Sequence, residues 1–345
     1  MSEDRKLTRR GLIGAGAGLT AAALVGSKTG IALGAGTGAA HAASSPPPPA
    51  PLLPSDRLGI QLYSVRDQVD AIGFAKLFET LARIGYKQVE FAGYTQAVGP
   101  ITPKQIAQLL KANGLTAIGS HLQELGTPDD ATFEHELDIA QTIGIPQVGI
   151  SFEIPSGTTT SGWQALADQW NHLGSLAHAR GMRFYLHNHF QEWALCPDDP
   201  TKRGEDILLA ETDPNLVWFE MDIYWAYVGQ WQSGQVVHFD PLYDYAIPYR
   251  NRYLLFHVKD GKPDQSGGFT DALDDIVDDG EGVIDYVTFF SKLFQVSTGE
   301  QNRHWYIQER DNASSHPRGS LAASQMSYLY MRYGIAPGLG FGGLV

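Results

Sequence analysis

The sequence is short of several residue types, and each shortage narrows what it can be. It has one cysteine, Cys196, in 345 residues, so neither an internal disulfide nor a multi-cysteine zinc site can form. Basic residues are few: 25 Lys and Arg stand against 38 Asp and Glu, a net charge of −13. That leaves no positive surface for a phosphate backbone and argues against nucleic acid as a partner. Only 18% of residues are charged and 43% are hydrophobic, a composition that fills a large core and excludes a disordered chain. No apolar strand-like segment is followed by a G-x-G-x-x-G phosphate loop. The nearest run, Gly280-Glu281-Gly282, follows Asp278-Asp279, whose carboxylates would repel phosphate.

What is present begins with Arg5-Lys6-Leu7-Thr8-Arg9-Arg10-Gly11, then a Gly/Ala-rich, mildly apolar run ending at Ala40-His41-Ala42. A twin arginine, such a run and a small-x-small site resemble a twin-arginine export signal over residues 1–42. The expectation is therefore export through the twin-arginine machinery, a periplasmic or otherwise exported location, and no stable membrane insertion after cleavage, because Lys28 interrupts the apolar run. Removing residues 1–42 takes away five basic and two acidic groups, leaving 20 against 36 and a charge of −16. Residues 43–55, with the proline run Pro46–Pro49, read as an extended tether. The folded domain is expected over 56–335, followed by a Gly-rich tail over 336–345.

Within 56–335 one unit repeats: an amphipathic helix, a glycine, a short apolar strand. The glycines are Gly85, Gly114, Gly144 and Gly181, each placed to end a helix in the left-handed conformation. Phe74, Leu77, Phe78, Leu81 and Ile84 fall on one helical face. Expected strands are 58–63, 88–94, 115–122, 147–153, 183–189, 216–222, 253–259 and 304–309. Eight strands alternating with helices fit a single α/β (β/α)8 TIM barrel, with an open doubly wound sheet as the alternative.

In such a barrel the carboxyl ends of the strands carry the chemistry. Here they carry Glu90, His121, His187 with His189, Glu220 with Asp222, His257 with Lys259 and Asp260, and Glu309 with Arg310 and Asp311. Imidazoles and carboxylates without thiolates suit one divalent ion such as Mn2+, Co2+, Mg2+, Zn2+ or Fe2+. That ion would polarise a sugar carbonyl or hydroxyl and stabilise an enediolate.

The blocks His187-Asn188-His189-Phe190-Gln191-Glu192, Phe219-Glu220-Met221-Asp222-Ile223-Tyr224-Trp225, His257-Val258-Lys259-Asp260, Gly280-Glu281-Gly282 and Gln308-Glu309-Arg310-Asp311 resemble the sugar phosphate isomerase/epimerase group of xylose-isomerase-like barrels. The resemblance spans about Leu58 to Tyr333. It implies metal ligands at Asp222, His257 and Glu309. The family's first glutamate has no counterpart; its place is held by His187, the fourth ligand expected here, with His189 and Glu192 as alternatives. Two metal-binding glutamates serve as the two bases of the family's epimerases, and only Glu309 matches one of them. His189, Glu192 and Lys259 are the candidates for the missing acid or base, and Lys259, kept charged by Asp260, is the candidate to hold a substrate oxygen.

Glu90, His121, Trp225 and Arg310 are expected to line the substrate pocket, unless Glu90 only pairs with Arg66. Tyr63, Phe91, Trp193, Tyr224 and Trp231 are further candidates for stacking on a sugar ring. The expected function is an exported metal-dependent sugar isomerase or epimerase with a small sugar substrate, neutral or oxidised rather than phosphorylated. Alternatives are a lyase or dehydratase acting on a keto-sugar or 3-keto-glycoside, and a non-catalytic sugar-binding protein. Oligomeric state, including a homo-oligomer, is left open by the sequence.

Overall fold

The structure, a computed structural model, describes residues 50–93, 101–122, 128–233, 239–263 and 272–335. The expected signal over 1–42, part of the tether and the 336–345 tail lie outside the described residues. The strands are β1 Leu58–Gln61, β2 Gln88–Ala92, β3 Thr116–His121, β4 Gln147–Ile150, β5 Arg183–His187, β6 Val217–Asp222, β7 Tyr253–Val258, β8 Asp260–Gly261, β9 Ile276–Val277 and β10 Trp305–Gln308. The helices are α1 Arg66–Ile84, α2 Pro103–Ala112, α3 Asp130–Ile143, α4 Thr160–Ala179, α5 Gly204–Glu211, α6 Ile223–Ser233, α7 Tyr286–Phe294 and α8 Ser320–Leu329.

Eight strands close a parallel barrel in the order β1-β10-β7-β6-β5-β4-β3-β2. The ring shuts where Leu58 of β1 registers with Tyr306 of β10. The remaining two, β8 and β9, pair antiparallel beside the carboxyl end of β7. Several strands stop sooner than their apolar patterns suggest. Tyr63 belongs to a short 3-10 turn over Leu62–Val65, and His189 lies two residues past β5.

Helix boundaries follow local chemistry. Thr102 caps α2 in a capping box with Gln105, with Pro103 in the first turn. Gly85, Gly114, Gly144 and Gly181 all take positive φ, as helix-ending glycines should. Gly73, at φ 72° and ψ 163°, breaks α1, and beyond it Phe74, Leu77, Phe78 and Leu81 face the strands and are buried. Leu52 donates a backbone hydrogen bond to Ile335 at 3.0 Å, and Leu53 is 1% exposed. The expected tether boundary at residue 55 is thus corrected: two leucines before it are drawn onto the barrel by apolar burial.

Inside the ring, side chains alternate inward and outward with period two, so each inward face climbs from apolar to polar. The lower part packs Ile118, Tyr185, Leu254, Leu255 and Ile307 against Trp218 and Trp305. Tyr185 fits because two neighbouring strands carry glycines. A Cβ on Gly149 would come within 2.4 Å of the ring and one on Gly119 within 2.7 Å of the hydroxyl. Above this plug the same strands place Glu220 and Asp222, His257 and Lys259, and, just past β10, Glu309 and Asp311.

Candidate active site

The upper interior gathers donors from four strand ends. One nitrogen or oxygen from each of His187, Asp222, His257 and Glu309 falls within a 4.8 Å cluster, and all four residues are buried. Asp222 and His257 are register partners across β6 and β7. Asn188, pointing away from the interior, ties the end of β5 to β6: its Oδ1 accepts from Asp222 N at 3.0 Å and its Nδ2 donates to Asp222 O at 3.2 Å. Two imidazoles and two carboxylates without a thiolate suit a divalent cation of the nitrogen- and oxygen-binding kind.

Lys259 stands beside the cluster. Its Nζ lies 2.8 Å from each of Asp222 Oδ2, Glu309 Oε2 and Asp311 Oδ2 and 5.2 Å from the centre of the Trp225 ring. Burial opposes the charge, but Asp222, Asp311 and Glu309 outweigh it and hold the ammonium well above its ordinary value. Burial likewise opposes charge on Glu309, yet Lys259 and His257 keep it well below the usual carboxylate range. The side chain of Asp260, expected to keep Lys259 charged, turns the other way to accept from the backbone of Gly280 and Gly282 at 2.9 and 3.0 Å. Strand parity sends Lys259 inward and Asp260 outward.

His189 is half-buried, with its ring 5.0 Å from that of His187 and 6.1 Å from that of Trp225. Its Nδ1 is buried without a hydrogen-bond partner. Burial first, then His187 and Lys259, push it well below the ordinary imidazole value, so the ring is held neutral. Glu192, an alternative ligand, is not in the cluster: its Oε2 accepts the backbone N–H of His189 at 2.9 Å. Burial pushes its carboxyl up to about 8.

Beneath the donors lies a hydrogen-bonded tier that changes the expected roles of Glu90 and His121. Glu90 is fully buried. It accepts from the Tyr185 hydroxyl and lies 2.8 Å from His257 Nε2, while Arg66 instead donates to the carbonyls of Tyr63 and Asp311. Both ring nitrogens of His121 are engaged, Nδ1 by Gln61 Nε2 at 3.2 Å and Nε2 by Glu220 Oε2 at 2.7 Å. Neither residue has a free face for substrate. His121, His187, Glu220 and His257 form a second group whose donor atoms lie within 4.8 Å.

Arg310 also departs from expectation. Its guanidinium is bound to Asp278 and Asn312, on the outward side of the chain end, so it does not line the pocket. Phe91, Trp193 and Tyr224 are core residues, and Trp231 is 51% exposed; of the aromatic candidates, Trp225 is the one beside Lys259 and His189. Gln61 and Tyr185 gave no signal in the sequence because a neutral residue in an apolar strand looks like core. Asp311 was legible, two residues past Glu309 and hence on the same face.

The profile of the xylose isomerase-like TIM barrel family matches residues 78–326. No curated protein matches the chain. Among solved structures, a sugar phosphate isomerase/epimerase from Parabacteroides distasonis superposes with a TM-score of 0.64 at 21% identity, over 82% of this chain and 95% of that one. A xylose isomerase domain containing protein from Salmonella typhimurium gives 0.59 at 12% identity, covering 82% and 98%. The IOLI protein with a bound zinc atom gives 0.55 at 13%, covering 80% and 99%.

Proposed function

Because the chain belongs to the xylose isomerase-like TIM barrel family, we propose that it is a metal-dependent sugar isomerase or epimerase that removes a proton beside a carbonyl carbon. The observation that carries this reading is the buried convergence of His187, Asp222, His257 and Glu309 beside a charged lysine. A divalent cation held by those four residues supplies Lewis-acid polarisation of a sugar carbonyl or hydroxyl. Its identity among Mn2+, Co2+, Mg2+, Zn2+ and Fe2+ is open, and the zinc of the IOLI protein is one precedent within the fold.

The remaining roles fall to the chain's own groups. Lys259, fixed as a cation, is placed to attract an oxygen on which negative charge develops. His189, neutral and with an unpartnered nitrogen, accepts the proton. Glu309, held as an anion, orients the reacting end and is the second candidate for proton transfer. Trp225 offers an apolar wall to the C–H face of a sugar ring.

A second reading is β-elimination on a keto-sugar or 3-keto-glycoside. It is favoured by the histidine at position 187, which leaves one of the family's two glutamate bases. One base would take the proton, and the electron pair would expel the β-substituent instead of being reprotonated. Incubating the protein with keto-sugars and Mn2+ in D2O separates the two. Deuterium in recovered sugar, with no water or aglycone released, is expected for the isomerase; release of either overturns it in favour of the lyase.

We also infer export by the twin-arginine route from residues 1–42. Among the described residues no helix is long and apolar enough to cross a membrane. An exported form whose first residue is Ala43 is the expected result of N-terminal sequencing, and an intact Met1 on all of the protein would overturn it.

A further inference from the structure

Two overlapping sets of donors share His187 and His257, and the hydrogen bonds beneath them decide between the two. We infer that Gln61 and His121 are positioning residues. Through Glu220 they fix which nitrogen of His187 carries a proton, and they keep His121 itself from serving as a ligand, so the barrel holds one metal ion at His187, Asp222, His257 and Glu309 and none at His121, His187, Glu220 and His257. This rests on the metal-dependent reading above.

The hydrogen-bond chain starts at the end of β1. The backbone N–H of Tyr63 donates to Gln61 Oε1 at 3.2 Å, which sets the orientation of the amide and turns its Nε2 toward His121 Nδ1 at 3.2 Å. An amide N–H can only donate, so Nδ1 must present a lone pair and the ring proton must sit on Nε2. That nitrogen is 2.7 Å from Glu220 Oε2, and a nitrogen carrying a proton is not a ligand.

Glu220 passes the constraint upward. Its Oε2 lies 3.1 Å from His187 Nδ1. An ionised carboxylate only accepts, so it calls for a proton on that nitrogen. His257 Nε2, though 3.0 Å from Glu220 Oε1, is hydrogen-bonded to Glu90 Oε2 at 2.8 Å, which calls for the proton there. A lone pair is left on His187 Nε2. His257 Nδ1 is 3.0 Å from Glu309 Oε2 and 3.8 Å from Asp222 Oδ2, both of the upper set, so the proton those carboxylates call for is the one that a cation bound there would displace. Gln61, Glu90 and Glu220 are at most 1% exposed, so bulk water is not in contact to take over any of these bonds.

Two measurements on the full chain, freed of metal by a chelator, test the inference. Histidine-ring 15N NMR should show His121 protonated at Nε2 and bare at Nδ1, and Gln61→Leu should turn that into a mixture of tautomers. Titration with Mn2+ should give one ion per chain. His121→Leu should still bind one ion, roughly 10- to 100-fold more weakly, as expected when an outer carboxylate–histidine support is lost. His121→Gln should recover most of the loss, since its amide N–H can reach Glu220. Two ions per wild-type chain with one lost in His121→Leu, or a proton on Nδ1 of His121, would overturn the inference. A wild-type chain that takes up no Mn2+, Co2+ or Zn2+ overturns the metal-dependent reading instead, and the NMR signature of His121 still decides the arrangement proposed here. If His121→Leu does not fold, Gln61→Leu carries the test alone.

Discussion

Lys259 and Asp260 are neighbours in sequence and belong to opposite chemistries. On the inner side, Asp222, Glu309 and Asp311 share one ammonium, each 2.8 Å from it, and the donors come from several strands. On the outer side, Asp260 is wrapped by backbone. Its Oδ1 accepts from Gly261 and Ile284 at 2.9 and 3.3 Å, and its Oδ2 from Gly280 and Gly282 at 2.9 and 3.0 Å. The wrapping is tight enough that a Cβ on Gly282 would stand 2.0 Å from the Asp260 carboxylate. An acid satisfied by local backbone amides has nothing left to offer a ligand. An acid with an oxygen held by ionic side chains from other strands can exchange that partner for a cation, even where, as in Asp222, its other oxygen accepts the Trp225 backbone N–H at 2.9 Å. The kind of partner, and not acidity at a strand end, distinguishes an acid that can serve a ligand from one that holds a loop.

The sharpest way to break this contrast is Lys259→Met. It strands three buried carboxylates without their shared ammonium and should cost about 3–5 kcal/mol in urea unfolding of the metal-free chain, with part regained on adding Mn2+. A loss below about 1 kcal/mol would mean that the inner acids are not held as anions at all. Asp260→Asn should cost less, about 1–3 kcal/mol, because the amide cannot accept from every backbone donor the carboxylate satisfies. Its Mn2+ uptake should match wild type; a loss like that of Asp222→Asn would erase the division between inner and outer acids.

Glu192 sharpens the comparison from a third position, since it supports the His189 backbone and, among the described residues, its carboxylate is in no ion pair. Burial raises it from 4.5 to about 8, so the folded chain binds this proton more tightly than the unfolded one. Stability therefore falls as pH rises from about 4.5 to about 8, by at most about 1.4 kcal/mol per pH unit. Glu192→Gln should flatten that part of the urea-unfolding profile, and an unchanged slope would place Glu192 among the paired acids.

The barrel was legible because its signals are local: a helical apolar face at Phe74 to Leu81, a glycine at each of four helix ends, an apolar strand after each. The metal-ligand candidates were legible because imidazoles and carboxylates stand out at strand ends. Arg310 is expected in the pocket beside Glu309, and Asp260 as the partner of Lys259, on nearness in sequence alone. The period of two already separates them from Glu309 and Lys259. His121 ends β3 as expected, whereas Glu90 lies in the middle of β2; the sequence pattern points both at substrate, and their depth in the barrel and their partners favour a supporting role. Gln61 and Tyr185 were invisible for a different reason: their effect depends on which atoms of Tyr63, His121 and Glu90 they meet, which no pattern along one strand encodes.

One consequence concerns the order of assembly. The strand that closes the ring, β10, registers with β1 and is followed at once by Glu309 and Asp311. Pairing between the first and last strands is the most distant contact in the barrel and the slowest kind to form. The last carboxylates of the site therefore arrive with the last strand. Until the ring is shut the chain has neither a sealed sheet nor a complete set of candidate donors, so on the proposed metal-dependent reading full-strength Mn2+ uptake would report that folding is finished.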